Sequence, residues 1–173
     1  LRPNEQALGR WLAVDPLGLI VLTLVSLLFL GVAHYASGYL RHARVQAGHV
    51  FVSCMLAFLG AATVVALSHH LALMWIGMET TTLAIAPLIF DRRDRRSLEA
   101  AWKYLVLSSV GIAFALLGIF LLATAQPSIA SAGQPLLLDD MLAGARDLGP
   151  AWRGSAFVFI AVGFATNMGL EPL

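Results

Sequence analysis

Long apolar runs separated by short polar segments dominate the pattern along this chain. The runs predict five membrane-spanning helices, because about 20 consecutive apolar residues are enough to cross the hydrocarbon of a bilayer. Asp15-Pro16 opens the first run as a typical helix start, with an acid as the cap and proline at the first helical position. The predicted helices cover residues about 16–40, 48–67, 71–90, 98–125 and 151–170.

The segment between the fourth and fifth predicted helices has a different composition. Residues 126–150 contain prolines, glycines and several charges, among them Asp139 and Asp140. We expect a loop followed by a short amphipathic helix that lies on the membrane surface. Ser68-His69-His70 leaves room only for a tight turn, so the second and third helices should be antiparallel neighbours. The predicted fold class is therefore all-α, a polytopic membrane protein.

Composition supports a membrane protein and excludes several other classes. The chain is 59% apolar and 12% charged, whereas soluble domains have about 25% charged residues. A net charge of +1 does not indicate a nucleic-acid partner, and the single cysteine excludes an internal disulfide. The sequence starts without methionine in a polar stretch unlike a signal peptide. We therefore expect residues 1–173 to form a single partial transmembrane domain.

Basic residues indicate how the helices are oriented. Most of them lie in the segments that join the first helix to the second and the third helix to the fourth. They are Arg41, Arg44, Arg92, Arg93, Arg95 and Arg96. Because cytoplasmic loops carry an excess of Lys and Arg, these segments are predicted to face the cytoplasm. The N-terminal end and residues 126–150 then lie outside, and the protein is predicted to be multi-pass in a bacterial inner membrane.

Glu79 lies near the middle of the third predicted helix, inside the apolar run 71–90. An acid at the centre of a bilayer costs roughly 3 kcal/mol even on lenient insertion scales, and such a residue is by default a functional hypothesis. A carboxyl that is neutral or ionised depending on a neighbour can pass a proton along. The alternative is a structural acid that receives a hydrogen bond from Thr or Ser of another helix.

Lys103 is the second candidate for a proton relay. If the fourth helix starts at Ser97, Lys103 lies about 9 Å into it, and Glu79 lies about 16 Å from the Phe90 end of the third helix. The remaining gap of about 7 Å can be bridged by two long side chains or by a water. In the alternative interpretation, Lys103 extends its amine to the cytoplasmic interface.

The histidines raise the question of a haem or metal site. His34 and His49 lie near the cytoplasmic ends of adjacent predicted helices, where bis-histidine ligation of a haem is conceivable. His69 and His70 are consecutive in a turn and are predicted to form an exposed pair, because adjacent side chains rarely point at one ion. No phosphate-binding or nucleophile motif accompanies them.

Three segments carry a resemblance to a known family. They are residues 75–83 (WIGMETTTL), 95–105 (RRSLEAAWKYL) and 109–113 (SVGIA). In order and spacing they resemble the antiporter-like membrane subunits of respiratory complex I, and above all the proton-conducting subunit of group 4, hydrogenase-4 or formate-hydrogenlyase-type, hydrogenases. The resemblance covers the chain from about Asp15 to its end. It implies that helix one corresponds to about the third helix of a fourteen-helix subunit.

The resemblance also implies roles for individual residues. In that family a glutamate of the fifth helix and a lysine of the seventh begin a row of charged groups that moves protons. Glu79 matches the glutamate, and Lys103 matches a lysine at the start of the sixth helix. Residues 164–170 (FATNMGL) match the broken seventh helix, but Asn167 stands where the lysine is expected. Asn167 is therefore a degenerate family position.

The predicted function follows from the resemblance. The chain is expected to be a fragment of a membrane subunit, itself without catalytic residues, that couples electron transfer in a NADH dehydrogenase- or hydrogenase-type complex to translocation of protons or another cation. Its expected partners are other membrane subunits and the lipid bilayer, with no metal or redox cofactor in this chain. The rivals are a non-conducting structural remnant or truncated subunit, and a helical bundle that binds haem or quinone.

Overall fold

Six α-helices make up most of the part of the chain that the structure describes. The computed structural model describes residues 11–42, 48–90, 94–126, 136–144 and 149–168. The helices are α1 (Pro16–His42), α2 (Gly48–Leu67), α3 (Leu71–Ile89), α4 (Arg95–Thr124), α5 (Leu138–Gly144) and α6 (Pro150–Asn167).

Helices α1 to α4 are each long and apolar enough to cross a membrane, whereas the apolar part of α6, Ala151–Thr166, is shorter. The break implied for residues 164–170 extends past Met168, the last described residue, and stays a prediction. The all-α polytopic fold is confirmed. Helix α5 lies within the segment predicted to hold a short surface helix. Residues 127–135 and 145–148, which that prediction also covers, are outside the described residues.

Helix α4 begins at Arg95, three residues before the predicted start. The reason is a cap that precedes the apolar run. The carboxylate of Asp94 accepts the backbone N–H of Ser97 at 2.6 Å, and the Asp94 N–H donates to the Ser97 hydroxyl at 3.2 Å. This reciprocal capping box satisfies two backbone donors at the helix start. The predicted boundary near Leu98 was therefore wrong, although the helix itself was predicted.

The spanning helices pack in a row. Helix α1 packs on α2, α2 on α3, α3 on α4, and α4 on α6. Only the short turn 68–70 separates α2 from α3, and the predicted antiparallel pair is confirmed. Helix α4 consequently has α3 on one side and α6 on the other, and its residues determine how these two helices are aligned.

The interface between α4 and α6 is made by small residues. A Cβ added at Gly118 would lie 2.8 Å from the backbone nitrogen of Ile160 on α6. A Cβ added at Gly163 would overlap the backbone of Ala115, which is itself fully buried. Helices in membranes associate through such small residues, because they allow the two backbones to approach closely.

One end of the bundle, here called the turn end, is tied together by backbone hydrogen bonds among three short segments. The segments are residues 11–13, 67–70 and 136–138. The N–H of His69 donates to the carbonyl of Trp11 at 2.8 Å, and the N–H of Leu138 donates to the carbonyl of His69 at 2.9 Å. Residues 136–138 therefore lie against the α2–α3 turn.

Helix α5 is anchored to the turn end by one apolar side chain. Met141 is almost completely buried and packs with Ala123 and Leu71, while Asp139 on the same helix is exposed. Leu142 on the same helix is 61% exposed as well, so the amphipathic surface helix stays a prediction. The N-terminus of α4, at Arg95, lies at the opposite end of the bundle.

Candidate functional site

Glu79 occupies the middle of α3 and faces α4. The hydroxyl of Ser109 on α4 donates a hydrogen bond to Oε1 of Glu79 at 3.1 Å. The second carboxyl oxygen, Oε2, is buried and has no hydrogen-bond partner in the described part of the chain. A buried polar atom without a partner is costly, so this acid is not explained by local stability alone.

A second polar contact joins the same two helices one turn away. Trp75 lies four residues before Glu79, and its indole Nε1–H donates to the backbone carbonyl of Ile112 at 2.8 Å. Residues four apart share one face of a helix. Because α3 and α4 run in opposite directions, Trp75 meets Ile112 and Glu79 meets Ser109 in a single register. The indole thus holds the two helices at the alignment in which the acid meets the hydroxyl.

The threonines that follow Glu79 bond to their own helix instead of to the acid. The hydroxyls of Thr80, Thr81 and Thr82 donate to the carbonyls of Ile76, Met78 and Glu79 at 2.8, 2.6 and 2.7 Å. Such bonds within a helix are common for Ser and Thr. The side-chain partner of Glu79 is therefore Ser109.

Helix α6 reaches the level of Glu79 at its C-terminal end. Thr166 lies so close to Gly111 on α4 that a Cβ added at Gly111 would overlap the Thr166 hydroxyl. Gly111 and Ser109 are two residues apart, which is about 3 Å along the helix axis. Asn167 is the last residue of α6, and its side chain lies outside the described residues. The backbone of Asn167 is therefore about level with Glu79.

Lys103 does not meet Glu79 in the structure. Its amine pairs with the carboxylate of Glu99 one turn earlier on α4, and the two side chains are 63% and 59% exposed. An i,i+4 pair of this kind forms without any other helix. The predicted bridge between Lys103 and Glu79 is thus not formed, and a role of Lys103 in a relay stays a prediction.

The histidines are placed in two ways. His34 and His49 are exposed on α1 and α2. His69 and His70 are half-buried, so the prediction of an exposed pair was wrong. The cause is the contact of the turn with residues 11–13 and 136–138. Among the described residues no group of three His, Cys, Asp or Glu side chains could hold a metal ion.

His70 has a structural task at the start of α3. Its Nδ1 accepts the backbone N–H of Leu73 at 3.4 Å as an N-cap, and its ring lies 5.0 Å from the ring of Trp11. Burial lowers the pKa of His70 below its ordinary value of 6.5, because an apolar environment disfavours the charged imidazolium.

The sequence reasoning allowed for a hydrogen bond from Thr or Ser of another helix to Glu79, but it did not identify Ser109, and it missed the hydrogen bond of Trp75. The available signal was weak, since Ser108 and Ser109 are two consecutive polar residues in an otherwise apolar stretch of α4. Helix periodicity alone does not say which of them faces α3. In the structure Ser109 bonds to Glu79, while Ser108 is 3% exposed.

Taken together, the described residues form a row of apolar helices, with the carboxyl of Glu79 between α3 and α4, and this arrangement defines a polytopic membrane protein. The family model described as NADH:quinone oxidoreductase/Mrp antiporter, TM, matches residues 68–173. The chain therefore belongs to the NADH:quinone oxidoreductase/Mrp antiporter transmembrane family, and the resemblance predicted from the sequence is confirmed.

Comparison with individual proteins agrees with this membership. A hydrogenase-4 component F homolog of Methylacidiphilum infernorum is 30% identical over 95% of this chain and 36% of the relative. NADH-quinone oxidoreductase subunit N of Halorhodospira halophila is 30% identical over 98% of this chain and 34% of the relative. The chain thus spans about a third of the length of these curated relatives. Their bacterial origin and the helices α1 to α4 support a multi-pass inner-membrane protein.

Proposed function

We propose that this chain is part of an antiporter-like membrane subunit in which Glu79 relays protons across the interface between α3 and α4. The observation that carries the proposal is the asymmetric environment of the carboxyl. Oε1 receives a hydrogen bond from Ser109, and Oε2 is buried without a partner in the described residues. A membrane acid so placed can accept a proton on one oxygen while the other stays bonded.

The names of the relatives support a coupling role. One relative is named as a hydrogenase-4 component F homolog and another as NADH-quinone oxidoreductase subunit N. In such a complex, electron transfer takes place in other subunits, and this subunit converts it into ion movement. The proposed partners are therefore other membrane subunits of a complex I-like or group 4 hydrogenase complex. No redox cofactor is proposed in this chain.

The test is Glu79→Gln in the full-length subunit, assembled with its complex in its own membrane. The amide keeps the size of the side chain and loses the titratable proton, so assembly should persist. Proton translocation per electron transferred should fall by about 100-fold, the lower range for loss of a positioned proton-transfer group. Proton uptake into inverted vesicles, measured beside electron transfer in the same sample, gives this ratio.

Glu99→Gln is the matched control, because Glu99 is an exposed acid on α4 whose partner is Lys103. This variant should translocate protons at the unmodified rate. Unchanged translocation in Glu79→Gln would contradict the proposal. It would favour the rival function, a structural membrane partner that moves no protons. Asn167 at the position of the expected lysine also supports that rival.

We also propose an orientation, with the turn end outside and the start of α4 in the cytoplasm. The support is the cluster of arginines near Arg95 and the tendency of basic residues to stay inside. Arg95→Cys and Asp139→Cys place thiols at opposite ends of the bundle, in a background with Cys54→Ala. A membrane-impermeant maleimide added outside intact cells should label position 139 and spare position 95; the reverse pattern would overturn the orientation.

A further inference from the structure

The two oxygens of the Glu79 carboxyl differ in a way that assigns a role to Ser109. Ser109 Oγ lies 3.1 Å from Oε1, and the only direction in which a hydrogen bond can run to an ionised carboxylate is from the hydroxyl to the oxygen. When the carboxyl is protonated on Oε2, Oε1 remains a carbonyl oxygen and still accepts from Ser109. The same hydrogen bond therefore suits both states of the acid.

The hydroxyl is held in place by the packing of α4 and not by the acid. The Ile112 carbonyl receives the Trp75 indole, and the Ile112 side chain is 1% exposed. On the other side of α4, Gly111 is in close contact with Thr166. Because the segment 109–112 is bound on both sides, Ser109 presents its hydroxyl to Glu79 from a fixed backbone.

We propose that Ser109 is a positioning residue for Glu79 that occupies Oε1, so that the proton is taken up and released at Oε2. A neighbouring proton carrier, a water or a titratable side chain, transfers its proton to Oε2 and later receives one back, and nothing else is consumed. This inference rests on the proposed function of Glu79. It adds that Oε2 is the oxygen that exchanges the proton and that the hydrogen bond from Ser109 is the reason.

The experiment compares Ser109→Ala with Ser109→Thr and Ser109→Cys in the full-length subunit of the assembled complex. The readout is the infrared C=O stretching band of the protonated Glu79 carboxyl, assigned by its disappearance in Glu79→Gln. Loss of the hydroxyl removes a hydrogen bond to the carbonyl oxygen, so Ser109→Ala should move this band to higher frequency. Proton translocation should become about 3- to 10-fold slower, the equivalent of one hydrogen bond.

Ser109→Thr keeps the hydroxyl and should leave the band near its original frequency. Ser109→Cys offers only a weak donor and should move the band part of the way to higher frequency. This variant keeps the test decisive if the extra methyl of threonine disturbs packing. Ser108→Ala is the matched control, since it removes the same hydroxyl one residue away, on a different face of α4. It should leave the Glu79 band in place.

Two outcomes separate this inference from the proposed function. In the first outcome, Ser109→Ala has the carboxyl band and the translocation rate of the unmodified subunit, while Glu79→Gln is inactive. That result would overturn the assignment of Ser109 and leave the proposed function of Glu79 standing. Normal translocation in Glu79→Gln would overturn the function of Glu79 and, with it, the role of Ser109 in proton exchange.

Discussion

The two faces of α4 pack in opposite ways. Toward α6, Ala115 and Gly118 come close to the α6 backbone, and Gly111 leaves room for the side chain of Thr166. Toward α3, a large indole and a carboxyl fill the space and make two hydrogen bonds to α4. One interface is held by close backbone contact, and the other is held by polar side chains.

This difference shows how the chain can keep an acid inside a membrane bundle. Close packing of small residues against α6 gives α4 a fixed position. The interface with α3 can then include a group that does not stabilise it fully, such as Oε2 of Glu79, which has no hydrogen-bond partner among the described residues. The close packing therefore lies on one face of α4, and the carboxyl of Glu79 lies on the other.

The largest effect is expected from filling the tight face. A side chain at Gly163 would overlap the backbone of Ala115, which cannot move without separating the helices. Gly163→Leu should destabilise the bundle by at least about 3 kcal/mol, the upper range for overpacking. The yield of membrane-inserted protein and its thermal unfolding in detergent should both fall.

Gly154 on the same helix is the matched control for this prediction. A Cβ added at Gly154 meets nothing within 4 Å, so Gly154→Leu should insert and unfold as the unmodified protein does. Equal stability of the two leucine variants would show that α4 and α6 are not held by the contact described.

A smaller effect is expected from weakening the polar face. Trp75→Phe removes the hydrogen bond to the Ile112 carbonyl and keeps most of the aromatic volume. It should cost about 1 kcal/mol of stability, the typical net value of one hydrogen bond. Thermal unfolding in detergent measures this. Trp102→Phe is the control, because Trp102 is 54% exposed on α4; a loss there as large as at Trp75 would contradict the assignment.

The smallest effect is a dependence on pH at the turn end, away from both faces. The pKa of His70 is lowered in the folded protein by burial, so the unfolded chain binds its proton more tightly. The contribution of His70 to the free energy of unfolding is therefore complete above about pH 6.5, and it is lost as the pH falls through the lower pKa that His70 has in the folded protein. Protonation also removes the acceptor that caps α3 at Leu73.

His70→Asn tests this, because asparagine keeps a capping acceptor and does not titrate. Between pH 7.5 and 5.5 the melting temperature of the unmodified protein should decline more steeply than that of His70→Asn. His34→Asn, at an exposed position of α1, should follow the unmodified protein. Parallel curves for all three proteins would remove His70 as a source of pH dependence.

Much of the fold was predictable from the sequence because a membrane helix satisfies its backbone groups within itself. The bounds of α2 agree with the prediction, and α3 ends one residue earlier than predicted. The start of α4 was not predicted, because the charges of Asp94 and its neighbours indicated a loop, whereas the side chain of Asp94 caps the helix. The exposure of His69 and His70 depended on segments distant in the chain, which no local pattern contains.

The sequence by itself determined that an acid lies at mid-depth in a spanning helix, because the position of Glu79 follows from the length of its own apolar run. Tertiary structure alone decided what that acid meets. Which of the polar residues of α4 faces α3 depends on the rotation of α4, and that rotation depends on the contact of Gly111 and Gly118 with α6. For this reason Glu79 meets Ser109, and Lys103 remains on the exposed side with Glu99.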